Sequence, residues 1–340
     1  YTTISSTDRI DYSNDTATPV EKGPLNDNKY DMGATGSTSF GYFAAGRTPG
    51  SKSSVDRIDY SNDTATATAK APLAQGYGYR FGLAATSARE NAFGPILGPA
   101  LVSNADAMSV DPPTNFGYFG GGASRSIVDR IDYSNDTATA SSKGPLSRNH
   151  SYMAATGNSF FGYFGGGNSP SGSIVDRIDY SNDTATASVR GPLSVDRRQF
   201  AATGNGSFGY FAGGYDTSGL SSVDRVDYNN DTATAVAKGP LSFARYSLAA
   251  TGNQSFGYFA GTWIASERID RIDYSNDTAT ASQRGELNMG SPTGGSRFAA
   301  TGNSNFGYFG GAYPNRSSVN RVDYSNDTAT ASPKGPLSVA

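Results

Sequence analysis

Two stretches decide the fold. Phe200-Ala-Ala-Thr-Gly-Asn-Gly-Ser-Phe-Gly-Tyr-Phe-Ala-Gly-Gly214 comes first. After a short variable segment follows Val223-Asp-Arg-Val-Asp-Tyr-Asn-Asn-Asp-Thr-Ala-Thr-Ala235. Together they read as four short strands joined by turns. Strand A is residues 200–203 and strand B is residues 208–212. Strand C is residues 223–228 and strand D is residues 232–235. Gly204-Asn205-Gly206-Ser207 turns the chain between A and B. Asn229-Asn230-Asp231 reads as a tight hairpin between C and D, since Asn and Asp tolerate the positive φ of such turns.

Working outward, the same wording recurs along the chain. The Asp-Arg-Ile/Val-Asp-Tyr block starts at residues 8, 56, 129, 176, 224 and 270, and a seventh copy starts at Asn320. Phe-Gly-Tyr-Phe starts at 40, 116, 161, 208, 256 and 306. A period of this length with four strands per copy is the signature of propeller blades. The expected fold is therefore all-β, a single β-propeller domain over residues 1–340 with four-stranded antiparallel blades. Seven copies of the C–D unit stand against six of the A–B unit. The favoured reading is seven blade positions with one half-built; the alternative is six complete blades plus an extra hairpin. The missing inner hairpin would lie beyond residue 340 or come from another molecule. Tyr1 carries no initiator Met or leader pattern, so a domain cut from a longer chain is expected.

Strand C alternates with period two. Val175, Arg177, Asp179 and Ser181 share one face; Asp176, Ile178 and Tyr180 share the other. Arg177 and Asp179 read as a pair on one face, or as partners of an adjacent strand, with an exposed-pair value of roughly 0.2–1 kcal/mol. Glycine inside strands A and B costs stability unless something approaches closely. Convergence of the inner strands on the axis supplies that reason. The Phe and Tyr of Phe-Gly-Tyr-Phe then fill the wedge between blades.

Composition removes several classes of function. The 340 residues include 42 Gly, but 21 Tyr and 18 Phe argue for a packed core. The net charge is −3 with both signs interspersed, which disfavours nucleic acid as a partner. There is no Cys, so disulfides and thiolate chemistry are absent. A single His, His150, leaves little room for a metal site or a Ser-His-Asp relay. No apolar run approaches the ~18 residues of a membrane span. No cofactor is expected. Catalysis is not expected either, because the Asp residues repeat in every copy whereas an active site is normally unique.

The repeats resemble kelch repeats. The resemblance rests on Gly121-Gly122, Gly165-Gly166 and Gly213-Gly214 after strand B, and on Tyr60, Tyr133, Tyr180, Tyr228, Tyr274 and Tyr324 after strand C. It rests also on Lys29, Arg80, Arg197 and Arg245 before strand A, with His150 in the same register. The Trp usual in strand D of that family is replaced by Thr-Ala-Thr. The resemblance implies a propeller and leaves function open. The wording is also similar to repeats of uncharacterised structural and appendage proteins of marine cyanobacterial viruses. That resemblance implies an extracellular or virion-surface setting.

Candidate sites follow from the faces of such a ring. The A–B and C–D turns share one face and hardly vary. The B–C and D–A loops share the other and do vary, which is where a rigid scaffold presents recognition residues. Trp263, Tyr215, Tyr313, Tyr77 and Tyr79 lie in these loops as candidate sugar-stacking or protein-anchoring aromatics. Asn14, Asn62, Asn135, Asn182, Asn230, Asn276 and Asn326 head Asn-Asp-Thr sequons and are candidate glycosylation sites. The same block lacks the internal Gly turn of a Ca²⁺ loop and reads as a plain turn. An insertion at about residues 87–115, in an A–B turn, contains the apolar run Phe93 to Val102. It is expected to plug the axis or dock on a neighbouring subunit.

The expected function is a non-enzymatic structural or adhesion module of an extracellular or virion appendage. Its partners would be other structural subunits or copies of itself. The alternative is a carbohydrate-binding propeller that recognises a surface glycan.

Overall fold

The computed structural model describes residues 5–334 apart from 6, 10–19, 28–31, 37–38, 47–52, 71, 74–82, 88–115, 124, 136, 169–171, 263–265, 289–298 and 313–315. The chain opens with a two-stranded sheet of β1 (Thr7–Arg9) and β2 (Val20–Lys22). Six four-stranded sheets follow, all antiparallel and each in simple sequential order. The first blade is β3 (Gly33–Gly36), β4 (Phe40–Ala44), β5 (Val55–Asp59) and β6 (Thr68–Lys70). The second is β7 (Ala84–Ser87), β8 (Phe116–Gly120), β9 (Val128–Asp132) and β10 (Ser141–Ser142). The third is β11 (Ala154–Gly157), β12 (Phe161–Gly165), β13 (Val175–Asp179) and β14 (Ser188–Arg190). The fourth is β15 (Ala201–Gly204), β16 (Phe208–Ala212), β17 (Val223–Asp227) and β18 (Val236–Lys238). The fifth is β19 (Ala249–Gly252), β20 (Phe256–Ala260), β21 (Arg268–Asp273) and β22 (Ser282–Glu286). The sixth is β23 (Ala299–Gly302), β24 (Phe306–Ala312), β25 (Arg316–Asp323) and β26 (Ser332–Lys334).

The fold is thus a propeller of six complete blades with an extra hairpin, and the favoured count of seven is corrected to the alternative. The extra hairpin is not detached. Lys22 pairs with Asp63 at 3.0 Å, the Gly23 N–H donates to the Asp63 carbonyl, and the Ala67 N–H donates to the Pro24 carbonyl. The same two backbone bonds join the third blade to the fourth, from Gly191 to Asp231 and from Ala235 to Pro192.

Strand D lies later than its residue types suggest. In the fourth blade it is Val236–Lys238, not Thr232 to Ala235. Arg225 pairs with Val236, so the C–D connection is a broad loop rather than a tight hairpin. The Asp227 carboxylate accepts the Asn229 N–H and folds the chain into an Asx turn. The Ala235 N–H is then spent on Pro192 in the preceding linker, so Thr-Ala-Thr rides over the neighbouring blade instead of pairing with strand C.

The core lies between blades, where each sheet buries a face on the next. The Tyr of strand B stacks on the Tyr that follows strand C of the next blade. Tyr42 meets Tyr133, Tyr118 meets Tyr180, and Tyr163 meets Tyr228, with ring centroids 4.6–4.8 Å apart. Tyr210 with Tyr274 and Tyr258 with Tyr324 repeat the stack at 4.6 Å. Each such pair is worth about 0.5–1.5 kcal/mol beyond its burial. The strand-B glycine follows from this stack. A Cβ on Gly209 would come within 2.7 Å of the Tyr228 hydroxyl and 2.8 Å of the Thr156 methyl from the blade before. The close approach is therefore made by side chains of two blades, and strand B carries glycine where they meet.

The charges on strand C join blades as well. Arg177 does not pair with Asp179; it donates to Asp231 of the next blade at 2.8 Å. The same carboxylate accepts the Tyr163 hydroxyl at 2.8 Å and lies 3.5 Å from Arg190. Asp183, Asp277 and Asp327 repeat the arrangement with Tyr118 and Arg130, Tyr210 and Arg225, and Tyr258 and Arg271. Arg177 also sits over the Phe161 ring, 4.1 Å from its centroid. Asp179 instead accepts the backbone N–H and hydroxyl of Ser181. The expected surface pair is thus a clasp between blades on a buried carboxylate, because Asp231 is only 6% exposed. Burial first, and then the hydrogen bond to the carboxylate, hold the four clasp tyrosines protonated well above their ordinary pKa. Burial would raise the pKa of Asp277, but Lys238, Tyr210 and Arg225 outweigh it and keep the carboxyl below its usual value.

Candidate functional site

The loop face is organised by the residue before strand A. Arg197 is fully buried and bonds Asp224 of strand C in its own blade at 2.8 Å. It also donates to the carbonyls of Gly213 and Ser222, both at 2.9 Å. Burial pulls its pKa down and Asp224 opposes the shift. The Gly213-Gly214 doublet adopts φ +67° and +107°, which turns the chain out of strand B and aims the Gly213 carbonyl at this guanidinium. Arg245 repeats the anchor on Asp270. The basic position therefore ties the D–A linker to the B–C loop within each of these blades. Lys29 and Arg80 lie outside the described residues.

The third blade breaks this rule. His150 stands in the Arg position, buried, with its Nδ1 lacking a hydrogen-bond partner among the described residues. Asp176, the counterpart of Asp224, accepts the Ser147 N–H but leaves Oδ1 without a partner. Burial, and then the charge of Arg148, depress the His150 pKa to about 4. Burial raises the Asp176 pKa, against the Ser147 bonds and Arg148. A His pKa depressed in the folded state contributes stability above the unfolded value near 6.5, lost as pH falls toward 4. Asp176 acts in the opposite sense: its contribution is present at acid pH and is lost as pH rises through its folded pKa. His150→Gln removes only the first effect. Its loss of stability between pH 6.5 and 4 is expected to be smaller than the parent's by on the order of 2 kcal/mol, measured by urea unfolding at each pH.

Beside the Arg197 anchor lies a cleft of about 390 Å³. It is lined by Asn168 and Gly172 of the third blade's B–C loop, Asp196 and Arg198 of the linker, and Tyr215 and Asp216 of the fourth blade's B–C loop. Tyr215 and Arg198 exchange both backbone hydrogen bonds, which fixes the two loops together. The Arg198 guanidinium lies 4.9 Å from the centroid of the Tyr215 ring, and Tyr246 meets that ring edge-on at 5.1 Å. The cleft offers an aromatic ring beside a cation and two carboxylates, a set suited to a polar ligand with one flat face.

Of the aromatics expected on this face, Tyr215 is placed here. Trp263, Tyr313, Tyr77 and Tyr79 lie outside the described residues, as does the insertion beyond Ser87. Arg198 was not singled out from the sequence; its signal was the doubled arginine at 197–198, of which one is consumed by the anchor. The sequon asparagines Asn62, Asn135, Asn182, Asn230, Asn276 and Asn326 are exposed on the turn face, and Asn14 lies outside the described residues. Asn62, Asn135 and Asn182 each accept the hydroxyl of the sequon Thr. Asp183, between Asn182 and Thr184, is committed to the blade clasp, and Asp63, between Asn62 and Thr64, pairs with Lys22, so these turn carboxylates serve structure. Among the described residues no group of three or more His, Asp or Glu is placed to hold a metal ion, and no helix is long and apolar enough to cross a membrane.

No protein-family model matches the chain, and no curated protein matches it. Solved structures do. The chain is similar to the structure of YjhT with a TM-score of 0.64 and 11% identity, covering 91% of this chain and 98% of that one. At that identity the likeness shows the fold alone: this chain is a β-propeller of repeated blades.

Proposed function

We propose that the chain is a non-enzymatic structural and adhesion module, a kelch-like propeller that belongs to an extracellular or virion appendage. One observation carries the reading. The carboxylates, arginines and tyrosines that recur in the repeat are engaged in the same pairs from blade to blade, as the Asp183, Asp231, Asp277 and Asp327 clasps illustrate. Individual character is concentrated in the B–C and D–A loops, which a rigid ring holds in place for contact with other structural subunits or with copies of itself. The cleft at Tyr215 and Arg198 favours a second reading, in which the same face takes a surface glycan by ring stacking.

Two measurements separate these readings. Light scattering should show defined multimers if assembly is the role. A glycan array should show binding, lost at least tenfold in Tyr215→Ala and Arg198→Ala, if the cleft reads sugars. Neither substitution touches the Arg197 anchor, so melting should change little. A monomer that binds no glycan, or one that hydrolyses a glycan it binds, would contradict the proposal.

A further inference from the structure

The third blade keeps an acid whose base has been replaced. Asp224 and Asp270 are fully buried, and each receives a guanidinium on Oδ2, from Arg197 and Arg245. Asp176 holds the same place and is 1% exposed. Its Oδ2 takes the Ser147 N–H as that of Asp224 takes the Ser194 N–H, but among the described residues no ion pair reaches it. The sequence of the sixth blade shows the other outcome. There Gly295 stands at the basic position and Asn320 at the acidic one, so both charges are lost together. A buried carboxylate is normally paired with a cation or bound to one, since an uncompensated buried charge is costly.

The frame around Asp176 is the frame around Asp224. Phe164 lies opposite Asp176 as Phe211 lies opposite Asp224. The Gly166 N–H donates to the Ile174 carbonyl as the Gly213 N–H donates to that of Ser222. In the fourth blade the carbonyls of Gly213 and Ser222 also receive Arg197, and those of Gly166 and Ile174 hold the same register in the third. His150 enters from the backbone anchor that Arg197 uses. Its N–H and carbonyl bond Arg125 and Gly122, as those of Arg197 bond Gly172 and Gly167. A Cβ on Gly167 would lie 3.5 Å from the His150 Cβ, and one on Gly214 would lie 3.3 Å from the Arg197 Cβ. From that common origin an imidazole ends well short of a guanidinium. The His150 Nδ1 is buried and without a hydrogen-bond partner, in a side chain only 3% exposed.

We propose that the third blade binds one alkali cation, sodium or potassium, between Asp176 and His150, where the fourth and fifth blades place a guanidinium. The Asp176 carboxylate and the carbonyls of Gly166 and Ile174 supply oxygen ligands, the kind that hard cations take. The neutral imidazole closes the remaining side. The occupant is small because the shorter side chain leaves room for a single ion and not for a guanidinium. It is singly charged because that is the charge arginine brings to Asp224 and Asp270. The charge of exposed Arg148 reaches both His150 and Asp176, which further disfavours a divalent ion. The site is distinct from the cleft at Tyr215 and rests on neither reading of the protein's function.

Thermal melting of the full chain tests this at mildly alkaline pH, in sodium, potassium or tetramethylammonium chloride of equal ionic strength. Tetramethylammonium is too large to enter. Sodium or potassium should raise Tm above the tetramethylammonium value by roughly 1–3 °C. His150→Arg supplies the guanidinium covalently. It should melt higher than the parent in tetramethylammonium and lose the alkali increment. Asp176→Asn should lose the increment whatever it does to the baseline, so the test stands even if the arginine variant folds poorly. Thallium(I), which mimics alkali cations and scatters anomalously, should appear beside Asp176 in crystals of the parent. Equal melting of the parent in all three salts would overturn the proposal. So would an increment that Asp176→Asn or a folded His150→Arg retains, or thallium bound only elsewhere.

Discussion

Replacing Asp231 with Ala lowers the free energy of unfolding by about 3–5 kcal/mol, the usual cost of removing one partner from a buried ionic network. The loss is large because two donors lose their acceptor together and a second guanidinium loses its counter-charge. The Tyr163 hydroxyl and the Arg177 guanidinium each donate to Asp231 Oδ2 at 2.8 Å, and Arg190 approaches it at 3.5 Å. Tyr163 is fully buried and has no water to turn to. Asp231→Asn keeps an acceptor for the tyrosine but loses the charge, and should cost less than half as much. Urea unfolding of both variants checks the ranking. Equal, small losses would mean that the clasp serves only geometry.

Arg197→Ala has a comparable cost, again about 3–5 kcal/mol, for a different reason. Arg197 and Asp224 are both fully shielded from solvent, so truncating the arginine strands a carboxylate with the Ser194 bonds as its remaining support. It also frees the carbonyl of Gly213 and leaves that of Ser222 with the Gly213 N–H as its donor. Neutralising the carboxylate should recover part of the loss. The double variant Arg197→Ala with Asp224→Asn is expected to be more stable than Arg197→Ala alone by about 1–2 kcal/mol, a coupling of the size found between contacting groups. The sixth blade supplies the precedent: Asn320 stands where the other blades have Asp, and it accepts the Asn288 N–H at 2.7 Å. A double variant no better than the single would show that lost packing, not the unpaired charge, sets the cost.

Strands B and C were legible because each is a local pattern bounded by Gly or Asn. Phe208–Ala212 stands in the structure with the bounds its residues suggest, and Val223–Asp227 falls one residue short of them. Strand D was misplaced because its position depends on a bond to another blade, from Ala235 to Pro192, which no local pattern announces. For Arg177 the sequence leaves open Asp179 or a partner on an adjacent strand, because its acceptor, Asp231 of the next blade, lies about fifty residues away. The blade count could be tallied, yet the tally alone did not say whether the unmatched hairpin makes a blade. On the loop face, the repeat revealed the buried Arg197 as a fixed position. The cleft beside it depends on residues unique to one copy, which repetition cannot flag.

The central claim is that blades are locked pairwise and that, among the described residues, β1 pairs with β2 and with no strand B. Hydrogen exchange across the chain tests it most directly. Thr7–Arg9 and Val223–Asp227 hold the same place in the repeat, but among the described residues only the latter is flanked by a strand B. The account predicts that amides of Thr7–Arg9 exchange orders of magnitude faster than those of Val223–Asp227. Equal protection of the two segments in the isolated chain would contradict it.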